Sequence, residues 1–135
     1  MIVLDTSVVI ELLLNLPLGP RVRDEISDPD MALHAPALLT VEVLQVLRRR
    51  VAAALTTADE AADAIGALNL LDVTYHDHGL LVDRIWSLRG TLTAYDAAYV
   101  ALAELLGAVL LTADSRLARA PGHHARVELV TGSGG

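Results

Sequence analysis

The sequence predicts an α/β fold, with a mostly parallel sheet flanked by helices. Three observations carry that reading. Short apolar runs alternate with helix-length stretches along the chain, which is the pattern of β-α-β units joined by right-handed crossovers. The first run, Met1-Ile2-Val3-Leu4, is apolar throughout, with no polar alternation, as a strand buried on both faces requires. The chain has 135 residues, of which 53% are hydrophobic, enough for one domain with a sizeable core.

The elements follow in order. Met1-Ile2-Val3-Leu4 is the first strand and ends abruptly in Asp5. Thr6-Ser7 opens an apolar helix over Val8–Leu14. Asn15 to Pro20 is a break, marked by Pro17, Gly19 and Pro20. Arg21–Ser27 is a short polar helix, followed by the turn Asp28-Pro29-Asp30, and Met31–His34 is a second strand. Pro36 is placed in the first turn of a long helix, Ala37–Ala54. Thr56-Thr57 caps the next helix, which carries Asp59 and Glu60 in its first turn and runs to Leu68. Leu70–Tyr75 is a third strand. His76–Arg89 is a helix closed by Gly90, and Ala94–Leu106 is an apolar helix closed by Gly107. Val109–Thr112 is the next buried strand and leads into Ala113-Asp114-Ser115. A short helix lies near Leu117–Ala120, Pro121-Gly122 breaks it, and Val127–Val130 is the last strand. Gly132–Gly135 reads as a flexible tail.

Composition excludes several chemistries. There are 17 acids against 10 bases, a net charge of −7, and every base is arginine. Without lysine there is no phosphate-binding P-loop, no Schiff base and no lysine-dependent receiver domain. Without cysteine there are no disulfides and no thiolate metal sites, which fits a reducing compartment, and a cytoplasmic location is expected. The longest stretch free of Asp, Glu, Lys and Arg is 11 residues, Met31 to Val41. A membrane helix needs about 18 or more, so none is expected. The opening MIVLD has neither a basic segment nor an apolar core, so no signal peptide is expected. An acidic chain lacks the basic surface that usually binds nucleic acid. Any such role needs positive charge from elsewhere, and a bound metal is the natural source.

Four acids stand out. Asp5 and Asp114 follow apolar strands, and ligands in open α/β sheets bind beyond the carboxyl ends of the strands. Each is also well placed as an ordinary helix N-cap. Asp96 opens a helix that is apolar almost all round, and it shares a stripe with Val100, Ala103 and Gly107. A lone carboxylate there is costly without a partner, unless it caps its own helix. Glu42 lies among Leu38, Leu39, Val41 and Val43, on a stripe with Gln45 and Arg49. Its bland alternative is a solvated face with a favourable acid near a helix start. Strand ends and the helix starts that follow them share one edge of a doubly wound sheet. Four acids converging there repel one another unless cations neutralise them. Oxygen ligands suit Mg²⁺ or Mn²⁺. Two such ions roughly 3.5–4 Å apart can activate water and stabilise the leaving oxygen of a phosphodiester.

The segments IVLDTSVVIELL, LTVEVLQVLRR and LTAYDAAYVALAELLGAVLLTADSRLARA resemble the PIN-domain family, and more narrowly the VapC-type toxins of bacterial toxin–antitoxin pairs. The resemblance spans nearly the whole chain, with acids, spacing and flanking apolar residues in the same order. It implies a PIN domain over residues 1–131, a three-layer sandwich around a parallel sheet, with 132–135 as tail. It implies a metal-dependent endoribonuclease, with Asp5, Glu42, Asp96 and Asp114 as its catalytic and metal-binding acids. Asp5 and Asp96 would hold the main ion, Mg²⁺ or Mn²⁺. Glu42 and Asp114 would hold a second ion or orient the water. Thr6 or Ser7 stands for the family's small hydroxyl residue and Thr112 for the threonine before the fourth acid. Thr6 or Thr112 could then bond the scissile phosphate or a metal-bound water. Hydrolysis by water would leave a 5′-phosphate and a 3′-hydroxyl. A small antitoxin partner, a homodimer and a toxin–antitoxin hetero-oligomer are implied as well.

Arginines offer contacts to RNA phosphate. Arg116 and Arg119, close behind Asp114, are the better placed; Arg48-Arg49-Arg50, Arg84 and Arg89 are further candidates, and the triplet also reads as a solvated face. His76 and His78 lack an evident third ligand, and His123-His124 is assigned no role. Trp86 reads as core or dimer-interface packing rather than a base-stacking platform. Leu12, Leu13, Leu14, Leu16 and Leu18 read as core or as an interface. Two rival functions remain. A haloacid-dehalogenase-like phosphatase also opens with a strand ending in Asp, but it wants a second Asp where Ser7 stands, and a lysine. A catalytically inactive PIN-like binding module is opposed by the presence of all four acids.

Overall fold

The computed structural model describes residues 1–132. The expected tail therefore lies, apart from Gly132, outside the described residues. Five strands form one sheet: β1 (Ile2–Leu4), β2 (Leu33–Pro36), β3 (Val73–His76), β4 (Val109–Thr112) and β5 (Arg126–Leu129). Their order is β3-β2-β1-β4-β5, and every pairing is parallel. The helices are α1 (Thr6–Leu13), α2 (Gly19–Glu25), α3 (Leu38–Ala52), α4 (Ala58–Leu70), α5 (Val82–Ser87), α6 (Ala94–Leu106) and α7 (Ser115–Ala118), with a 3-10 turn at His78–Leu81 before α5.

Strand order fixes where a site belongs. From β1 the chain winds outward through β2 to β3, then crosses back to β4 on the other side of β1. That reversal is a topological switch, and the crevice outside the carboxyl ends of β1 and β4 is where such sheets bind ligands. Right-handed crossovers put α1–α4 on one face and α5–α6 on the other, giving three layers. In the first layer α1 packs on α2, α3 and α4; in the second α6 packs on α5 and lies against β1, β2 and β4. Val3, Leu4, Val8, Val9, Leu39, Val43, Leu102 and Leu110 are fully buried between these layers.

Several boundaries differ from expectation for physical reasons. Pro36 ends β2 instead of opening a helix. It lies past His34, the last β2 residue registered with β1, so its missing N–H costs no ladder bond on that side. Met31 and Ala32 precede the strand, although the Ile2 N–H already bonds the Ala32 carbonyl. Leu70 belongs to α4, and β3 begins only at Val73, after the bend at Leu71. The expected helix from His76 to Arg89 is a strand end, a 3-10 turn and a short α5. The expected α6 and β4 match residue for residue: the Thr93 hydroxyl caps α6 from the Asp96 N–H at 3.1 Å, and Gly107 ends it at φ 62°.

Candidate metal-dependent nuclease site

The four acids gather at the switch, each delivered by a different element. Asp5 ends β1 and occupies the N-cap position of α1, but its side chain does not cap. Instead Asp5 Oδ2 accepts from Ser7 Oγ at 2.6 Å and from Thr112 Oγ1 at 2.8 Å. It is 6% exposed. Burial pushes its carboxyl above the usual range, the nearby Asp96 and Glu42 push further, and the two hydroxyls only partly oppose this. The Ser7 hydroxyl also accepts the Ala113 N–H at 2.9 Å, and Thr112 Oγ1 accepts the Asp114 N–H at 3.0 Å. Ser7 and Thr112 thus lock the ends of β1 and β4 together.

Glu42 sits one turn into α3. The amino end of α3 is held from outside, because His78 Nε2 accepts the Leu38 N–H at 3.0 Å. Glu42 is half-buried, so the solvated-face reading does not hold. Its Oε1 accepts from Thr6 Oγ1 at 2.8 Å and from Tyr99 Oη at 2.5 Å, and the two hydroxyls lie 2.8 Å apart. Tyr99 is 1% exposed. Burial raises its phenol far above the ordinary value and the Glu42 hydrogen bond raises it further, so it stays a proton donor. Sequence reasoning missed Tyr99. The available signal was its spacing: three residues after Asp96 on one helix, it faces the same way.

Asp96 does not cap α6, since Thr93 does. Its Oδ2 takes a hydrogen bond from Arg116 Nη2 at 3.0 Å, and the same nitrogen bonds Asp114 Oδ2 at 3.2 Å. Asp114 also caps α7, with Oδ1 accepting the N–H groups of Arg116 at 2.9 Å and Leu117 at 3.4 Å. The cap reading is therefore realised at Asp114 and not at Asp5. Arg119 is exposed at the carboxyl end of α7.

Several other candidates have structural partners. Arg84 grips Glu104 at 2.7 and 2.9 Å, which removes it from the phosphate-binding candidates. Arg50 bonds Thr56 at 2.9 Å. His76 Nε2 meets His34 Nδ1 at 2.9 Å, away from any acid cluster. Trp86 is not in the core: it is 67% exposed, with the Arg89 guanidinium 4.5 Å from its ring centre. The leucines from Leu12 to Leu18 are partly buried and pack against the core.

Can these residues hold a cation? All four acids offer oxygen alone, the donor chemistry of Mg²⁺ and Mn²⁺. The repulsion felt at Asp5 favours a positive charge beside it, and Arg116 already supplies one between Asp96 and Asp114. Among the described residues, no three acidic or histidine side chains stand close enough as oriented to ligate one ion. The donors fit the ion chemically, and rotation of side chains such as the half-buried Asp96 would have to close them on it.

A family model described as the PIN domain matches residues 2–123. The chain belongs to the PIN-domain family. Within it, the chain is 40% identical over 130 residues to Ribonuclease VapC12 of Mycobacterium tuberculosis, covering 96% of this chain and 99% of that protein. It is 45% identical over 98 residues to Ribonuclease VapC1 of the same species, covering 72% of this chain and 74% of that one. It is thus a member of the VapC ribonucleases. Among solved structures, PAE2754 from Pyrobaculum aerophilum superposes with a TM-score of 0.59 at 29% identity, covering 87% of this chain and 83% of that one. VapBC2 from Rickettsia felis, bound to a DNA fragment from its promoter, gives a TM-score of 0.69 over 96% of this PIN chain and 98% of that one. Its 14% identity supports the fold alone.

Proposed function

We propose that this VapC-family chain is the toxin of a toxin–antitoxin pair and cleaves RNA by metal-dependent hydrolysis at the β1–β4 switch. The observation that carries the proposal is the way Asp5 and Glu42 are held. Each commits one oxygen to a pair of hydroxyl donors and turns the other free of protein partners among the described residues. That is how a carboxylate is oriented for a ligand, not how it is neutralised.

Asp5, Glu42 and Asp96 would hold Mg²⁺, with Mn²⁺ as a substitute, and Asp114 borders them. When bound, the divalent ion supplies positive charge against the phosphate and acidifies a water. The chain's own residues do the rest. Ser7 and Thr112 hold Asp5 Oδ2 and partly offset the burial that opposes its charge. Thr6 and Tyr99 hold Glu42 by Oε1 and leave Oε2 without a protein partner among the described residues. Arg116 and Arg119 offer donors to the RNA phosphates. With water as nucleophile, the products carry a 5′-phosphate and a 3′-hydroxyl.

The partner proposals follow from charge and surface. A protein of net charge −7 with an acidic site suits an antitoxin segment that brings a basic side chain. The apolar groove between α3 and α4, lined by Leu44, Leu47, Val51, Ala61 and Ile65, offers such a segment an apolar seat. We further propose that the chain acts as a homodimer inside a toxin–antitoxin hetero-oligomer, in the cytoplasm. No helix among the described residues is long and apolar enough to cross a membrane.

The test is cleavage of total bacterial RNA by antitoxin-free protein, with Mg²⁺, Mn²⁺ or EDTA, beside Asp96→Asn. Discrete fragments with 5′-phosphate ends that require metal and Asp96 support the proposal. Folded, metal-loaded protein that leaves every RNA intact contradicts it and favours a binding module.

A further inference from the structure

The helices around the site begin in different ways. Thr93 caps α6 and Asp114 caps α7, each from the residue just before its own helix. Helix α3 follows Pro36-Ala37, and Ala37 has no side chain that can cap it. Its first N–H groups still need partners. Two find them on the segment that leaves β3. The His76 carbonyl accepts the Ala37 N–H at 2.9 Å, and His78 Nε2 accepts the Leu38 N–H at 3.0 Å. As an acceptor, that nitrogen carries no proton. The segment is itself well tied. His76 is registered with Pro36, its Nε2 meets His34 Nδ1 at 2.9 Å, and Asp77 Oδ1 accepts the Gly79 N–H at 3.2 Å.

We propose that His78 is a positioning residue for RNA cleavage: it holds the first turn of α3 so that Glu42 presents its unpartnered oxygen to the site. The inference rests on the reading of Glu42 as a site acid. Glu42 lies four residues after Leu38, one turn along the same stripe of α3. A tilt or fraying of that turn would draw Glu42 Oε1 away from Thr6 and Tyr99, which hold it at 2.8 and 2.5 Å. His78, half-buried and without a third metal ligand beside it, thus acts on the site through the backbone.

Steady-state cleavage of one RNA by the full-length chain tests this. His78→Leu removes the acceptor, and kcat should fall about tenfold while KM changes by less than about twofold. His78→Gln places an amide oxygen near the position of Nε2 and should restore kcat to within about threefold of wild type. Glu42→Gln should lower kcat on the order of a hundredfold. Adding His78→Leu to Glu42→Gln should cost less than about a further twofold, because both act through one carboxylate. Thr57→Ala uncaps α4, which carries no site acid, and should leave kcat unchanged. Hydrogen exchange at the Leu38 amide, followed by NMR, should quicken about tenfold in His78→Leu and slow again in His78→Gln. An unchanged kcat or Leu38 exchange rate in His78→Leu, no rescue by His78→Gln, an equal kcat loss in Thr57→Ala, or losses that multiply in the double variant overturns the inference and leaves Glu42 in the site. Full cleavage by Glu42→Gln overturns the reading of that acid and the inference with it.

Discussion

The two ends of α6 treat their acids in opposite ways. Near its carboxyl end, Glu104 has a side chain only 7% exposed and fully partnered. Arg84 grips both its oxygens, and the His124 N–H adds a third bond at 2.9 Å. The Arg84 hydrogen bond, the largest influence, brings the Glu104 carboxyl down to about 2. Near the amino end, Asp96 faces Asp5 and Glu42 across the switch, and Asp5 is pushed up by burial and by its acidic neighbours. The same functional group is fully tied on both oxygens at one end; at the other, the exposed Arg116 reaches one oxygen of Asp96, and Asp5 and Glu42 beyond it are held by hydroxyls alone. A buried acid with a cation of its own stabilises the fold; a set of acids held only by hydroxyls is kept for something that arrives from outside.

Variants can break this comparison at either end. The largest expected effect is at the amino end: Asp96→Asn should lower metal-dependent RNA cleavage on the order of a thousandfold, measured as initial rate on one RNA, with the folded fraction unchanged by circular dichroism. Next is Tyr99→Phe, which removes one of the two donors to Glu42. Cleavage should fall about 10–100-fold, as for other residues that orient a ligand, with Mn²⁺ affinity weakened in parallel. At the carboxyl end, Glu104→Gln should cost about 2 kcal/mol, because Arg84 loses a charged acceptor, and lower the melting temperature by roughly 5–10 °C. Cleavage per folded molecule should stay unchanged there. The smallest effect is one of pH. Glu104 is depressed in the folded state, so its contribution is full above its ordinary value of 4.5 and is lost as pH falls from there toward about 2. Denaturant melts between pH 6 and pH 3 should show wild type losing stability over that window, and Glu104→Gln losing less.

The sequence revealed more of the secondary structure than of the partnerships. Helix α6 and strand β4 were readable because their ends carry strong local signals, Thr93 and Gly107. Pro36 was misread because a proline at a strand end and one at a helix start obey the same local rule; only the register with β1 decides between them. Of the two readings of Trp86, core or dimer-interface packing, its exposure removes the core, because an apolar ring on a short helix says nothing of which side faces out. At the site, Asp5 and Asp114 could be found by their position after apolar runs, and Asp96 and Glu42 by their place among apolar residues near helix starts. Which oxygen each one commits could not, since that depends on residues as distant as Thr6, Glu42 and Tyr99. Arg116 was legible as a positive charge beside Asp114, but its bridge to Asp96, 20 residues earlier, appears only in the fold.

The most direct test of the contrast is the melting temperature with and without saturating Mn²⁺, for wild type, Asp96→Asn and Glu104→Gln. An ion bound only by the folded state at about a hundred times its Kd adds about 2.7 kcal/mol. Wild type and Glu104→Gln should rise by the same amount from different starting points, and Asp96→Asn should not rise. Equal rises in all three, or no rise in wild type, would contradict the claim that the amino end of α6 is the place kept for a cation.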